Sequence, residues 1–397
     1  MSSNSQNGGG PIKVAHIATV DRSLRIQLLA QMRSLQEAGY DVYGIASPGP
    51  ESAGVTAAGI PFIPAPMTRR VTPFADLSSL VSLYRILKSE SFQIVHTHTP
   101  KAGLLGQIAA TLAGTPVVVH TLHGLYFHDN SPKLKRRLLV LLEKLTARWS
   151  DLILSQSSED VHTAVRERIC DADVIRRLGN GVDVAQFDPR KVDPNEVDAL
   201  RKEFSIPAES PVVGFVGRMV AEKGLHELLQ AARLVLNQQP STRFLIVGHR
   251  EPAKADAVEP SLAAHYGVAD ACVFTGPRTD LPPIYQLMDV HTLPSHREGF
   301  PRTPMEAALM SKPSVVTDVR GCREAVVDGQ TGLLVPPRDP GRLAAAILKL
   351  LGDSDLRLRL GLAARERGIQ LFDERTVHEI VKTEYQRLLQ ERGLVAG

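Results

Sequence analysis

Glu298-Gly299-Phe300-Pro301-Arg302-Thr303-Pro304-Met305-Glu306 carries a carboxylate at each end, with seven residues between the two. An apolar run, Asp289–Leu293, is closed by Pro294-Ser295 just before it, and Ala307-Ala308-Leu309-Met310 continues beyond it as helix. A short buried strand, a loop and a helix make the βα step of a parallel sheet. Glu298 is therefore expected in the loop at the strand's carboxyl end, and Glu306 a turn or so into the helix. The helix N-terminus between them points free N–H groups outward, which suits a phosphate. A carboxylate accepts well from sugar hydroxyls, so the segment reads as a grip on a sugar diphosphate. The plainer reading is a solvated loop glutamate followed by a solvent-facing helical one.

The same step occurs at Val216-Gly217-Arg218-Met219-Val220-Ala221-Glu222-Lys223-Gly224, behind the strand candidate Val212–Gly217 and ahead of a helix at Leu225–Leu236. Arg grips phosphate oxygens in pairs, and Lys acts on them as a point charge. Gly217 and Gly224 allow a close backbone approach. Solvated loop cations are the plainer alternative.

Outward from these segments the alternation covers the chain. Ile12–Val20, Asp41–Ala46, Phe92–Thr97, Val117–Thr121 and Asp151–Ser155 read as strands, with helices at Ser23–Ala38, Phe74–Ser89, Lys101–Ala113 and Pro132–Trp149. Arg243–Gly248, Ala271–Thr275 and Ser314–Thr317 are further strands, and Leu281–Leu287 and Pro304–Met310 further helices. Residues 340–389 read as mostly helix. The charged, proline-rich stretch 184–207 holds or adjoins the inter-domain linker. The expected layout is a disordered lead-in at 1–10, Rossmann-like domains at 11–190 and 191–370, and a C-terminal helix at 371–397 that packs back on the first domain. Two such halves face each other across a cleft, and ligands sit at the carboxyl ends of the strands. Gly8-Gly9-Gly10 precedes the first strand rather than following it, so a nicotinamide-dinucleotide fingerprint is excluded.

The chain has 397 residues, of which 43% are hydrophobic and 22% charged, with a net charge of +3. These values fit two globular domains and give no field for nucleic acid. Cys170, Cys272 and Cys322 are scattered, which fits a reducing compartment and offers neither disulfide framework nor zinc spacing. The first residues show no signal-peptide pattern, and no run reaches transmembrane length. A cytoplasmic protein is expected, and any membrane contact would be peripheral. Lys133-Leu134-Lys135-Arg136-Arg137-Leu138-Leu139, with Arg69 and Arg70, offers a basic, apolar-flanked patch for the inner face of an anionic membrane. An ordinary solvated helix start is the competing reading.

The two glycine-flanked loops, with Val315-Val316-Thr317-Asp318-Val319-Arg320-Gly321-Cys322-Arg323-Glu324-Ala325-Val326 and Gly329-Gln330-Thr331-Gly332-Leu333-Leu334-Val335-Pro336, resemble the retaining glycosyltransferases of the two-Rossmann GT-B fold, glycosyltransferase family 4. The resemblance covers the chain from about residue 11. It implies that Arg218 and Lys223 bind the donor diphosphate, Glu306 the ribose and Glu298 the transferred sugar. It also implies that backbone around Gly217, Gly299 and Phe300 approaches the donor, and that the Thr275–Leu281 region, with Arg278, holds the base.

Val95-His96-Thr97-His98-Thr99-Pro100-Lys101-Ala102-Gly103 and His120-Thr121-Leu122-His123-Gly124 are similar to enzymes of bacterial surface-polysaccharide or lipid-linked oligosaccharide assembly. His123 matches the histidine that approaches the donor sugar in that family. His98, Lys101 and Gly124 fall on the acceptor side. A zinc site from His96, His98, His120 and His123 is weighed against packed core histidines, and the family's chemistry favours no metal and no cofactor. Thr19-Val20-Asp21-Arg22-Ser23-Leu24 departs from the family, which often has a glycine pair here. Asp21, Arg22 and Ser23 are candidates to take over its role.

The resemblance thus implies transfer of a hexose or N-acetylhexosamine, from a uridine-diphosphate sugar, to a glycan or polyprenyl-linked acceptor. A nucleotide-sugar epimerase of the same fold and a non-catalytic nucleotide-sugar-binding protein stay open as alternatives.

Overall fold

The computed structural model describes residues 10–68, 72–127, 132–251 and 254–395. The lead-in up to residue 9 lies outside them, as do Arg69 and Arg70. The chain divides into two compact units, one of residues 1–178 with 378–397 and one of residues 179–377.

Unit 1 is built on β1 (Lys13–Val20), β2 (Asp41–Ser47), β3 (Phe62–Pro64), β4 (Ile94–His98), β5 (Val117–Leu122), β6 (Leu152–Ser155) and β7 (Ile175–Arg177). They form one sheet in the order β3-β2-β1-β4-β5-β6-β7, and every pairing is parallel. β4 and β5 are buried along their whole length, as expected of strands covered on both faces. The strand order reverses between β1 and β4, which makes the carboxyl ends there the natural place for a ligand.

Unit 2 repeats the plan. β8 (Val212–Val216), β9 (Arg243–Val247), β10 (Cys272–Gly276), β11 (Val290–Leu293), β12 (Ser314–Thr317) and β13 (Gly332–Val335) form a sheet in the order β10-β9-β8-β11-β12-β13, with all neighbours parallel. Its reversal lies between β8 and β11. The loops that follow these two strands are the two segments singled out in the sequence.

Residues 184–207 lie in unit 2 and carry the helix Pro194–Glu203. The C-terminal helical stretch resolves into Pro340–Gly352, Ser354–Leu371 and Glu374–Glu391. The first of these starts as its sequence dictates: the Asp339 side chain accepts from the Arg342 N–H, and Pro340 supplies a ready φ at the first turn. In unit 1, Tyr385 of the last helix is fully buried and its hydroxyl lies 2.6 Å from His96 Nδ1. Among the described residues, no helix is long and apolar enough to cross a membrane.

Candidate active site

The site in unit 2 depends on two glycines. Gly224 has φ +74°, and a Cβ there would stand 2.0 Å from the Pro294 carbonyl oxygen. No other residue lets the Ala221–Lys223 turn lie so close to the loop after β11. The approach puts Lys223 Nζ 2.5 Å from Glu298 Oε1, with both side chains largely buried. Gly321 does the same from the opposite side: its Cβ would meet the Gly299 carbonyl oxygen at 2.1 Å. The Phe300 carbonyl accepts from Asn180 Nδ2 at 2.7 Å, and the Phe300 ring packs edge-on against Phe372. The loop is thereby fixed on three sides.

Pro301 precedes the helix Arg302–Leu309, and no side chain caps its first turn. Unbonded N–H groups and a positive dipole end therefore remain at the loop. Glu306 lies in this helix, as the spacing predicts, but it is buried rather than solvent-facing. Its Oε2 accepts from the Tyr285 hydroxyl at 2.7 Å. Burial raises the Glu306 carboxyl above its ordinary range, against the opposing pull of Arg302 and Tyr285.

Arg218 follows β8 and donates to Glu251 at 3.1 Å, with Glu222 at 3.9 Å. Glu251 also meets Lys254 and His249. Burial alone would raise its carboxyl, but Arg218, His249 and Lys254 outweigh that and hold it at about 2. Arg278 is placed in a separate cluster. It forks onto Asp280 at 2.6 and 2.8 Å, reaches Glu203 at 2.7 Å and lies over the Phe204 ring. Its guanidinium fastens the turn after β10 to the helix Pro194–Glu203.

In unit 1 the reversal point is lined with imidazoles. His16 on β1 stands in register with His96 on β4. His16 Nδ1 lies 3.0 Å from His98 Nε2, and His98 Nδ1 lies 3.3 Å from His123 Nε2. His96 stacks on His98 at 4.3 Å between ring centres, and its two nitrogens meet the hydroxyls of Tyr385 and Thr121 at 2.6 and 2.7 Å. His120 Nδ1 meets the Thr97 hydroxyl at 2.9 Å. Burial lowers all five, His16 to about 3 and His120 and His123 to about 4, so all are neutral near pH 7.

The sequence alone offers His96, His98, His120 and His123 as a metal set. The nitrogens that converge, within 4.8 Å of one another, belong instead to His16, His96 and His98. Both nitrogens of His96 face hydroxyls and both of His98 face other rings, so this group fits a hydrogen-bonded array better than a ligand set.

The Lys101 ammonium is ion-paired with Asp76 and hydrogen-bonded to Thr68 at 2.7 Å. Gly124 turns the chain after His123 with φ +117°. Asp21 accepts from the Glu51 N–H at 2.8 Å and from the Ser52 hydroxyl at 3.0 Å, so its carboxylate braces the turn at 49–52. His16, Tyr285, Glu251 and Gly321 carry weight in these sites, yet the sequence reading gave none of them a role. Only His16 left a signal, a lone histidine in the apolar run of β1.

Residues 24–181 match the family described as glycosyl transferase 4-like domain, and residues 210–353 match glycosyl transferases group 1. The capsular polysaccharide biosynthesis glycosyltransferase CapM of Staphylococcus aureus is 29% identical over 383 residues, 96% of this chain and 98% of that protein. The UDP-Gal:alpha-D-GlcNAc-diphosphoundecaprenol alpha-1,3-galactosyltransferase of Escherichia coli is 31% identical over 299 residues, 75% of this chain and 76% of that protein. Anabaena HepE in complex with UDP-glucose superimposes with a TM-score of 0.81 at 21% identity, covering 95% of this chain and all of that one. With two parallel α/β units, each bearing its candidate residues at the reversal of its sheet, the chain belongs to the group 1 and 4-like glycosyltransferases of the GT-B fold.

Proposed function

We propose that this glycosyltransferase moves a hexose or N-acetylhexosamine, with retention and without a metal, from a uridine-diphosphate sugar to a glycan or polyprenyl-linked acceptor in bacterial polysaccharide or glycolipid assembly. The Lys223–Glu298 pair carries the reading. It holds a cation and a hydroxyl acceptor side by side at the carboxyl end of the sheet, next to an uncapped helix N-terminus. The diphosphate takes the Lys223 ammonium, the Arg218 guanidinium and the loop N–H groups. Glu298 then accepts from hydroxyls of the transferred sugar, and Glu306 from the ribose. Fixed cations and dipoles of this kind stabilise the charge that grows on the leaving phosphate. The departing phosphate takes the acceptor hydroxyl's proton as that oxygen attacks from the same face. His123 donates to a hydroxyl of the substrate. The E. coli and Anabaena relatives, whose names cite a UDP-sugar and UDP-glucose, support the uridine base.

Calorimetry with uridine-, guanosine- and adenosine-diphosphate sugars, without metal, tests the donor site. One donor is expected to bind, more weakly to Arg218→Ala. Binding that requires a divalent cation, or that ignores the substitution, would refute it. A product of inverted anomeric configuration would refute retention.

The acceptor reading is supported by the helix Lys133–Ala147. Leu134, Leu138, Leu141, Leu142 and Leu145 are all exposed, and Leu134 is 82% exposed. At helical pitch they share one stripe about 100° wide. Val140 and Ala147 are buried on the opposite side, and Lys133, Lys135 and Arg137 are exposed at the start. This apolar face with basic flanks lies on an anionic bilayer, beside a lipid-linked acceptor. Flotation with anionic vesicles at low salt tests it, and protein left at the bottom of the gradient would reject it.

A further inference from the structure

The imidazoles of unit 1 form an ordered series, and its direction can be worked out. A neutral imidazole has one N–H and one lone pair, so each ring in a chain of imidazole contacts must donate at one nitrogen and accept at the other. His16 Nδ1 faces His98 Nε2 at 3.0 Å, and His98 Nδ1 faces His123 Nε2 at 3.3 Å. The series begins at His16 Nε2, which is fully buried and has no hydrogen-bond partner. Only two proton arrangements satisfy both contacts. In one, every ring is protonated at Nε2, and the orphan atom of His16 is a buried N–H. In the other, every ring is protonated at Nδ1, and the orphan is a bare lone pair. Orphaned buried N–H groups are the rarer and costlier of the two.

We infer that His16 and His98 are positioning residues that lock His123 in the tautomer carrying its proton on Nδ1, with Nε2 held as acceptor. His16 donates to His98, and His98 donates to His123. His123 then offers the substrate one fixed N–H. The Gln156 side chain is also hydrogen-bonded to His123, and a substrate oxygen that takes up the Nδ1–H displaces it. His123 is thereby restricted to donating, and it selects a substrate oxygen that accepts. His96 stands outside the series: it stacks on His98 and is held by Tyr385 and Thr121, and so fixes the plane of the His98 ring. The inference that this donor meets a sugar hydroxyl rests on the glycosyl-transfer reading above; the tautomer itself does not.

Two-bond proton–nitrogen correlation on protein labelled with ring-15N histidine reads the tautomer directly, and His123→Gln identifies the His123 signals by their loss. The expected result is His123 protonated at Nδ1 at pH 7. His123 protonated at Nε2 would overturn the inference, and this holds whether or not any variant folds. His16→Asn keeps a side-chain donor near the Nδ1 position and should preserve the pattern. His16→Phe removes it and should give a mixture of tautomers, with kcat lowered about tenfold and donor KM unchanged, the loss of roughly one oriented hydrogen bond. A His16→Phe variant with the His123 tautomer intact would also overturn it. Full turnover by His123→Ala, with the wild-type tautomer confirmed, would instead sink the role of His123 at the substrate and leave the relay standing.

Discussion

The two sheets reverse at equivalent points, β1 beside β4 and β8 beside β11, yet the side chains there follow different chemistry. Unit 1 lines its reversal with neutral imidazoles and hydroxyls that hydrogen-bond one another. Unit 2 lines its own with paired charges: Lys223 with Glu298, Arg218 with Glu251, Arg297 with Glu222. The difference matches the ligands proposed for them. A diphosphate is anionic and needs cations and N–H groups. Sugar hydroxyls are neutral and are selected by oriented donors and acceptors. It also means that the two halves lose stability over different pH ranges and lose activity to different degrees when a site residue is removed.

Acid gives the largest expected effect. The five lowered histidines of unit 1 are neutral when folded and take up protons once unfolded, below about pH 6.5. Their contribution to stability is complete above that pH and is lost as the pH falls towards about 4. Each contributes a slope of about 1.4 kcal/mol per pH unit. Glu143, raised to about 7 by burial and the nearby Asp160, works the other way between about pH 7 and 4.5 and offsets about one of them. In unit 2 His291 is lowered, to about 3, while Glu251, held at about 2, begins to count only below its ordinary range. Trp149 is the only tryptophan and belongs to unit 1, so its fluorescence reports that unit alone. On acidification its transition should precede the loss of part of the far-ultraviolet ellipticity. Coincident transitions below pH 4 would break the comparison.

Charge removal sharpens it from the other side. Lys223→Met should lower kcat on the order of 10²–10³-fold, the range for deleting a preorganised contact to transition-state charge. His123→Ala, which removes a neutral donor, should cost about tenfold. Steady-state kinetics on both variants gives the ratio, and equal losses would mean that the two units do not divide the work as charge and hydroxyl recognition.

What the sequence disclosed of this arrangement was local. The steps β8 to Leu225–Leu236 and β11 to Arg302–Leu309 lie where the apolar runs and glycines put them, because strand, turn and helix signals act within about ten residues. Ten strands were readable in this way. β3, β7 and β13 were not, since an edge strand of three or four residues has too short a pattern to register. Glu298 was readable as a loop carboxylate. The burial of Glu306 was not, because its cover, Tyr285, comes from another helix. The same holds for the His16–His98 contact, whose members are 82 residues apart in sequence and adjacent only because β1 pairs with β4. Arg278 was assigned by its loop, and nothing near it in sequence announced Glu203, 75 residues away.

A backbone change tests whether the charge pair depends on close approach. Gly224→Ala must hold φ +74° with a side chain and displace the Pro294 carbonyl. Stability should fall by about 1–3 kcal/mol, as for a residue strained into the left-handed region, measured by urea unfolding. Donor affinity should fall further than that loss explains, since the turn carries Lys223 away from Glu298. Unchanged affinity would mean that the pair forms without the glycine contact.

The smallest effect on the fold is expected at the outer face of Lys133–Ala147, and there the contrast between the units becomes one of location. Leu138 and Leu141 are exposed, so neither contributes to the core beneath the helix. Leu138→Glu with Leu141→Glu should therefore change stability by no more than about 0.5 kcal/mol each, as for surface substitutions away from special features. Two carboxylates on the stripe would repel an anionic bilayer and desolvate poorly in it. The doubly substituted protein should stay folded and keep its affinity for the donor, whose proposed diphosphate and ribose contacts lie in unit 2, but should no longer float with anionic vesicles. Retained flotation would place the lipid contact elsewhere on the molecule. Lost donor binding would tie this helix to the nucleotide site, and the proposed division of labour, membrane contact in unit 1 and nucleotide binding in unit 2, would have to be abandoned.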